Sequence, residues 1–384
     1  MIIGVILKAM AGIYIHIPFC KRKCHYCNFF SLATTKYRSE FRKALIQEII
    51  NRRGYLNDES IDSIYFGGGT PSLLSADSIN EILETIHHYF KINTSAEITL
   101  EANPDDLSKD YLKQLKQTAI NRLSIGIQSF NDEELKYVNR IHNSKEAIES
   151  VYNAKDIGFS NISVDLIYGI PISSLTSWQE NLQIVEEMKV SHLSAYSLTQ
   201  EPNTAYDILV KKGKLQAPID EISVAQYELL QASLPNLQME QYEISNYAAK
   251  EKQALHNTNY WFGVPYLGLG PSAHSFNGES RRWNIAHLKD YISSAEEGIP
   301  KYEQEILSLN DKWNERIMTG IRTKWGIDIS VLQKEFSDRH VHIFEEQAKK
   351  YILEGLLESQ NRIYKLTAKG KLFADGIAAE FFMS

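Results

Sequence analysis

Short β-branched runs alternate with longer stretches of helical period from Ile13 to Leu198. The first run, 13–17, ends at Pro18, which has no N–H to extend a ladder. Residues 36–53 carry Tyr37, Phe41, Leu45 and Ile49 at i, i+4 spacing, which predicts a charged amphipathic helix. Residues 61–66 read as a strand cut off by Gly67-Gly68-Gly69-Thr70-Pro71, and a helix over 75–90 follows with Ile79, Ile82, Leu83 and Ile86 on one face. The unit repeats: strand 97–100, helix 108–118, strand 123–127, helices 132–139 and 144–157 with Gly158 as a cap, strand 162–167, helix 176–189, strand 192–198. Six strands alternating with helices predict parallel βαβ units. Six are too few to close an eight-stranded barrel, so the expected fold class is α/β, a partial (β/α)6 barrel over residues 1–245.

The second half is patterned differently. A segment over 246–305 holds Leu255-His256-Asn257-Thr258-Asn259-Tyr260-Trp261 and a glycine-rich stretch from Tyr266 to His274, expected to extend the core as barrel edge or pocket wall. After a break at Gly298-Ile299-Pro300, helices are predicted over 309–324, 329–336 and 342–357. A short strand pair over 356–366 turns at Ser359-Gln360-Asn361-Arg362, and a last helix runs from Thr367 to Phe382. Helices followed by a β-wing make 306–384 a helical, winged-helix-like domain. Its charges are balanced and offer no basic recognition face, so nucleic acid is not an expected partner.

Composition narrows the class. The formal charge of −7 argues against general affinity for nucleic acid or anionic membrane. The apolar start, Met1 to Met10, is too short for a membrane span and lacks a signal peptide's charged n-region; the first nine residues read as an upstream extension before Met10-Ala11-Gly12. Cys20, Cys24 and Cys27 are the only three cysteines in 384 residues, and they share one loop. An odd number excludes a closed disulfide framework, and unpaired thiols fit a reducing compartment, hence the cytoplasm. A structural zinc site wants four ligands, which His16 or His25 would have to complete. Thiolates also hold [4Fe–4S] clusters, and three of them leave one iron open for a substrate or cofactor.

The spacing C-x3-C-x2-C behind a strand resembles the signature of radical S-adenosylmethionine (SAM) proteins, with Tyr26 before the third cysteine as that family has it. The resemblance implies a [4Fe–4S] cluster whose open iron binds the amino and carboxylate groups of SAM. In parallel α/β architectures, site residues gather at the carboxyl ends of the strands. Those ends supply Gly67 to Thr70, Glu101, Gln128 and Asp165, with Arg140 just past the helix after the fourth strand. Carboxylates suit the ammonium of SAM, a guanidinium its carboxylate, and glycines let backbone come close to a ligand.

A closer resemblance is to the oxygen-independent coproporphyrinogen III oxidase family, from about Gly12 to the C-terminus. It implies SAM contacts at Tyr14, Tyr26, Gly68, Gly69, Thr70, Glu101, Gln128, Arg140 and Asp165, and cluster ligation by Cys20, Cys24 and Cys27. The oxidase carries a further cysteine two residues after the third, where this chain has Phe29, and an N-terminal arm that few residues here could form. Both departures point to the HemW branch, regarded as haem chaperones, as does the H-N-x-x-Y-W motif at 256–261. That branch implies haem, with His256 as candidate iron ligand and His274 as a lesser one, a haem-acceptor protein that could sit at a membrane, and an electron donor, the chain being monomer or homodimer. The rival readings are the oxidase itself, acting through a 5′-deoxyadenosyl radical, a radical SAM enzyme of another substrate, and a plain zinc protein.

Overall fold

The computed structural model describes residues 10–298 and 300–383. The suggested extension over the first nine residues lies outside them. Six strands, β1 (Met10–Ile17), β2 (Ser60–Gly68), β3 (Ile92–Ala102), β4 (Arg122–Gln128), β5 (Asn161–Tyr168) and β6 (His192–Ser197), lie side by side in chain order. All five pairings are parallel. The helices Arg38–Asn51, Ala76–Tyr89, Lys109–Leu115, Asp132–Tyr137, Ser144–Asp156 and Leu175–Met188 connect them. The α/β partial barrel is thus the fold, with bounds close to those expected. One strand differs: β3 begins at Ile92, because a polar run without alternation still pairs with the start of β2 through Ile61↔Ile92.

Alternation along these strands sorts their side chains. Ile13, Ile15 and Ile17 of β1 are fully buried in the apolar layer, while Tyr14 and His16 line the barrel's interior. The same period of two sends Arg122, Ser124, Gly126 and Gln128 of β4 inward and Leu123, Ile125 and Ile127 into the apolar layer. Parallel strands covered on both faces ordinarily read as continuous apolar runs. Here the inner face is polar, as a face that lines a ligand chamber requires.

The sheet is wider than the sequence suggested: among the described residues it has twelve strands. Past β6, helices Ala205–Lys211 and Asp220–Leu237 lead to the hairpin β7 (Glu240–Glu243) and β8 (Asn246–Ala248), and β8 pairs antiparallel with β6. Residue 245, expected to end the core, lies in the turn of that hairpin. At the opposite edge β9 (Tyr266–Leu269) runs parallel to β1, followed antiparallel by β10 (His274–Phe276), β11 (Ser280–Asn284) and β12 (Tyr302–Ile306). The glycine-rich stretch is therefore strand and turn. A Cβ on Gly268 would lie 1.9 Å from the His274 carbonyl oxygen, so only glycine lets β10 fold back there.

A buried charge pair ties this edge to the first helix. Arg52 donates to the Gly268 carbonyl at 2.7 Å and to Ser275 Oγ at 3.0 Å. Glu48 accepts from the Gly270 amide at 2.8 Å, Asn284 at 2.7 Å and the Tyr291 hydroxyl at 2.7 Å. Each lost partner would strand a buried charge.

Residues from Trp313 onward have their own apolar core. Helix Leu309–Ile321, β13 (Ile327–Asp328), helices Ile329–Glu335 and Asp338–Leu353, then β14 (Leu357–Gln360) and β15 (Ile363–Leu366) follow in winged-helix order, with sheet order β13-β15-β14. The wing turns at Asn361 and Arg362, both at positive φ. The last helix is broken: a 3₁₀ turn over Gly370–Phe373 precedes Ala374–Glu380. Arg281 meets Glu315 at 2.5 Å, and Trp325 packs on Tyr242 and Phe262, docking this domain against the sheet. No helix among the described residues is long and apolar enough to cross a membrane.

Trp313 is fully buried, and its indole donates to the Phe381 carbonyl at 2.9 Å. W313A should destabilise this domain by about 3–5 kcal/mol. Urea unfolding followed by circular dichroism checks this, and a change near zero would contradict the packing described.

Candidate cluster and cofactor site

The barrel interior holds a cavity of about 920 Å³. Cys20, Cys24 and Cys27 line it, as do Tyr14, Tyr26, Gly68, Gly69, Thr70, Glu101, Gln128, Arg140, Asp165 and His256. Residues spread over 243 positions of sequence thus share one chamber: most sit on an inward strand position or in the segment after a strand's carboxyl end, Arg140 follows the helix Asp132–Tyr137, and His256 lies on the helix Leu255–Trp261.

The cysteine loop hangs on backbone bonds. The Cys20 amide donates to the Leu32 carbonyl at 2.9 Å, and the Leu32 amide to Pro18 at 2.8 Å. The His25 amide donates to the Val138 carbonyl at 3.3 Å and the Tyr206 amide to the His25 carbonyl at 2.8 Å, which clamps the loop to the far wall. The β2 turn closes on it from the other side: a Cβ on Gly69 would come within 2.7 Å of the Phe19 carbonyl oxygen and 3.0 Å of Cys20 Sγ. Gly68 sits at φ +107°, where L side chains are strained. All three thiols are free. Thr70 donates to Cys20 Sγ at 3.5 Å and Arg140 to Cys24 Sγ at 3.4 Å, so two of the sulfurs already face donors suited to a thiolate.

A single metal ion is poorly served. Among the described residues no three His, Cys, Asp or Glu side chains gather as one ion would require. His16 is hydrogen-bonded to the Tyr14 hydroxyl at 3.1 Å and the Phe30 carbonyl at 2.7 Å, and His25 turns its Nδ1 to the Tyr137 carbonyl at 3.0 Å, outside the cavity.

Glu101 accepts from the Tyr65 hydroxyl at 2.7 Å and the Gly68 amide at 3.2 Å. Asp165 accepts from Ser124 at 2.9 Å and Ser163 at 3.0 Å. Arg140 donates to Asn103 at 2.7 Å and the Gly126 carbonyl at 2.5 Å, leaving Nε without a partner among the described residues. Gln128 ends β4 at φ 72°. Sequence reasoning passed over Tyr65, Asn103, Arg122 and Ser124, which share the chamber and orient these groups. Strict alternation within each strand was the signal that could have found them.

His256, on the helix Leu255–Trp261, borders the cavity with both ring nitrogens engaged. It is 3% exposed, its Nδ1 is 2.8 Å from Ser63 Oγ, and its Nε2 is 2.9 Å from the Tyr260 hydroxyl. Its ring stacks on Tyr65 with centroids 5.1 Å apart. A neutral imidazole has one N–H and one lone pair, and both are in use. Ligation of an iron by His256 would require breaking one of these bonds.

Residues 14–185 match the Radical SAM superfamily and residues 307–373 the HemN C-terminal domain. The chain is 33% identical over 375 residues to "Heme chaperone HemW" of Bacillus subtilis, covering 97% of this chain and 99% of that one. It is 30% identical over 373 residues to the protein of the same name from Mycobacterium tuberculosis, covering 95% and 93%. The chain belongs to the HemW-like radical SAM family. In fold it is similar to the solved coproporphyrinogen III oxidase (HemN) of Escherichia coli, with a TM-score of 0.85 over 98% of this chain and 90% of that one at 24% identity.

In this HemW-family chain, burial dominates the chamber's electrostatics. It pushes the Glu101 carboxyl up to about 7, with the Asp165 charge adding to the shift and the Tyr65 hydrogen bond opposing it. Burial also raises Asp165 against the pull of its serine donors. A raised folded pKa means the native state keeps a proton that the unfolded chain releases. Glu101 thus costs stability as pH rises from the ordinary carboxylate range to about 7. E101Q should flatten that slope, gaining about 2 kcal/mol on the wild type between pH 5 and pH 8 in cofactor-free protein. Parallel urea titrations at the two pH values measure it; identical slopes would refute it.

Proposed function

We propose that the chain holds a [4Fe–4S] cluster on Cys20, Cys24 and Cys27, binds SAM beside it, and binds haem for delivery to an acceptor protein in the cytoplasm. The observation that carries the haem reading is near full-length likeness to relatives named as haem chaperones, at 33% identity over 97% of the chain. Three free thiols in one loop, with Thr70 and Arg140 donating to two of them, fit the cluster. When bound, such a cluster supplies an electron for reductive cleavage of SAM. The chain's own residues then bind and orient. Glu101 and Asp165 offer carboxylates to the ammonium of SAM, and pairing there would draw their pKa values back down. Arg140 serves its carboxylate, while Tyr14, Tyr26, Gln128 and the Gly68-Gly69-Thr70 turn wall the ligand.

Phe29, 62% exposed where the oxidase has a further cysteine, speaks against oxidase chemistry. Anaerobically reconstituted protein should bind haem stoichiometrically and leave coproporphyrinogen III unconsumed. Turnover of the porphyrinogen with release of 5′-deoxyadenosine would make the chain an oxidase instead. C24S should abolish the cluster's visible absorbance while the far-ultraviolet circular dichroism stays intact, since a hydroxyl is a poor substitute for a thiolate ligand. Full absorbance in that variant would remove Cys24 from the ligand set.

A further inference from the structure

We infer that His274, rather than His256, is the side chain that ligates the haem iron. The inference rests on the haem reading above and adds the atom that would hold the cargo. Protein ligands to haem iron are chiefly His, Cys, Met and Tyr. The cavity's cysteines are assigned to the cluster, and no methionine lines it. Its tyrosine hydroxyls are engaged, Tyr14 with His16, Tyr65 with Glu101, Tyr260 with His256 and Tyr266 with Arg281, while Tyr26 is placed beside SAM above and burial holds the Tyr196 phenol protonated. Four histidines do: His16, His192, His256 and His274.

Three of the four have no nitrogen to give. His16 is bound by the Tyr14 hydroxyl and the Phe30 carbonyl, His192 by Ser163 at 2.8 Å and Tyr242 at 2.9 Å, and His256 by Ser63 and Tyr260. All three are at most 4% exposed, held into the chamber wall by those partners. His274 is the opposite case. It is exposed at the cavity, and among the described residues its ring nitrogens have no hydrogen-bond partner.

Its placement is rigid. His274 opens β10, pairs with Trp283 of β11, and stacks on that indole with centroids 5.7 Å apart. The neighbouring Ala273 and Ser275 are buried, and Gly268 lies beneath its carbonyl. An imidazole on a strand, with its orientation set by an aromatic face, is the kind of support a ligand needs. Partial burial and the Arg281 charge lower its pKa from the usual histidine value, which keeps a lone pair available at neutral pH. The same cavity carries Phe29 and Phe30, apolar surface for a porphyrin face, and Arg22 and Lys23, cations for its propionates.

Haem titration of the reconstituted protein, followed by Soret absorbance and electron paramagnetic resonance, tests this. Wild type should show a histidine-ligated ferric spectrum. H274A should weaken haem affinity by about tenfold or more and lose that signature, and free imidazole should restore it. H274M, which keeps a ligating side chain, should hold haem with an altered spectrum. If wild type binds haem and H274A keeps both affinity and spectrum, the assignment falls while the haem reading stands; an unaltered spectrum in H274M overturns it equally. If wild type binds no haem, the haem reading falls and takes the assignment with it.

Discussion

A strand's period of two governs this molecule. Each barrel strand sends one set of side chains into an apolar layer and the alternate set into a chamber, and a one-residue slip would exchange them. The inner set includes Arg122, Glu101, Asp165 and His192, and His256 joins it from the helix Leu255–Trp261. Polar groups at that depth are costly unless paired. They are paired largely with one another: Arg122 faces Glu97 at 3.7 Å, Tyr65 donates to Glu101, and serines from β4 and β5 hold Asp165. Among the described residues Arg140 Nε has no hydrogen-bond partner and Arg122 Nε has only the 3.7 Å ion pair with Glu97, while Glu101 and Asp165 are pushed towards neutrality.

The chamber's walls depend on parts far along the chain. β9 closes one side against β1, and its register requires Gly268 where β10 folds back and the Glu48–Arg52 pair that receives the Gly268 carbonyl and the Gly270 amide. The β7–β8 hairpin closes the other side and carries Tyr242, which joins His192, Asn257 and Trp325. Through that tyrosine the winged-helix-like domain touches the wall of the site. The H-N-x-x-Y-W motif gains a physical account on the same grounds: His256 props Tyr65 and Ser63, Asn257 holds Tyr242, and Trp261 packs beneath Arg322 of the C-terminal domain. Its residues join barrel to domain.

The family resemblance and the geometry divide the work. Likeness to relatives named haem chaperones runs over nearly the whole chain, and the fold is shared with HemN. Phe29 marks where the two part. There Phe29, 62% exposed, adds apolar surface to the cavity.

Much of the cluster site was legible in the sequence, because local spacing carries it. Cys20, Cys24 and Cys27 fall in one loop after Pro18, and Gly67 to Thr70, Glu101, Gln128 and Asp165 fall near strand ends wherever the strands lie, so a parallel order was enough to bring them together. The short, non-local strands β7 to β12 were not legible: four-residue runs such as β9 carry too little periodicity to announce themselves, and their pairing depends on distant contacts, from β6 to β8 across about fifty positions and from β1 to β9 across about 250. The histidines show the division most clearly. By itself the sequence determined that two candidates, His256 and His274, stand in the second half of the chain. Only the tertiary structure decided that Ser63 and Tyr260 occupy both nitrogens of one and that the other opens on the cavity, because hydrogen-bond partners and exposure are properties of packing rather than of neighbouring sequence.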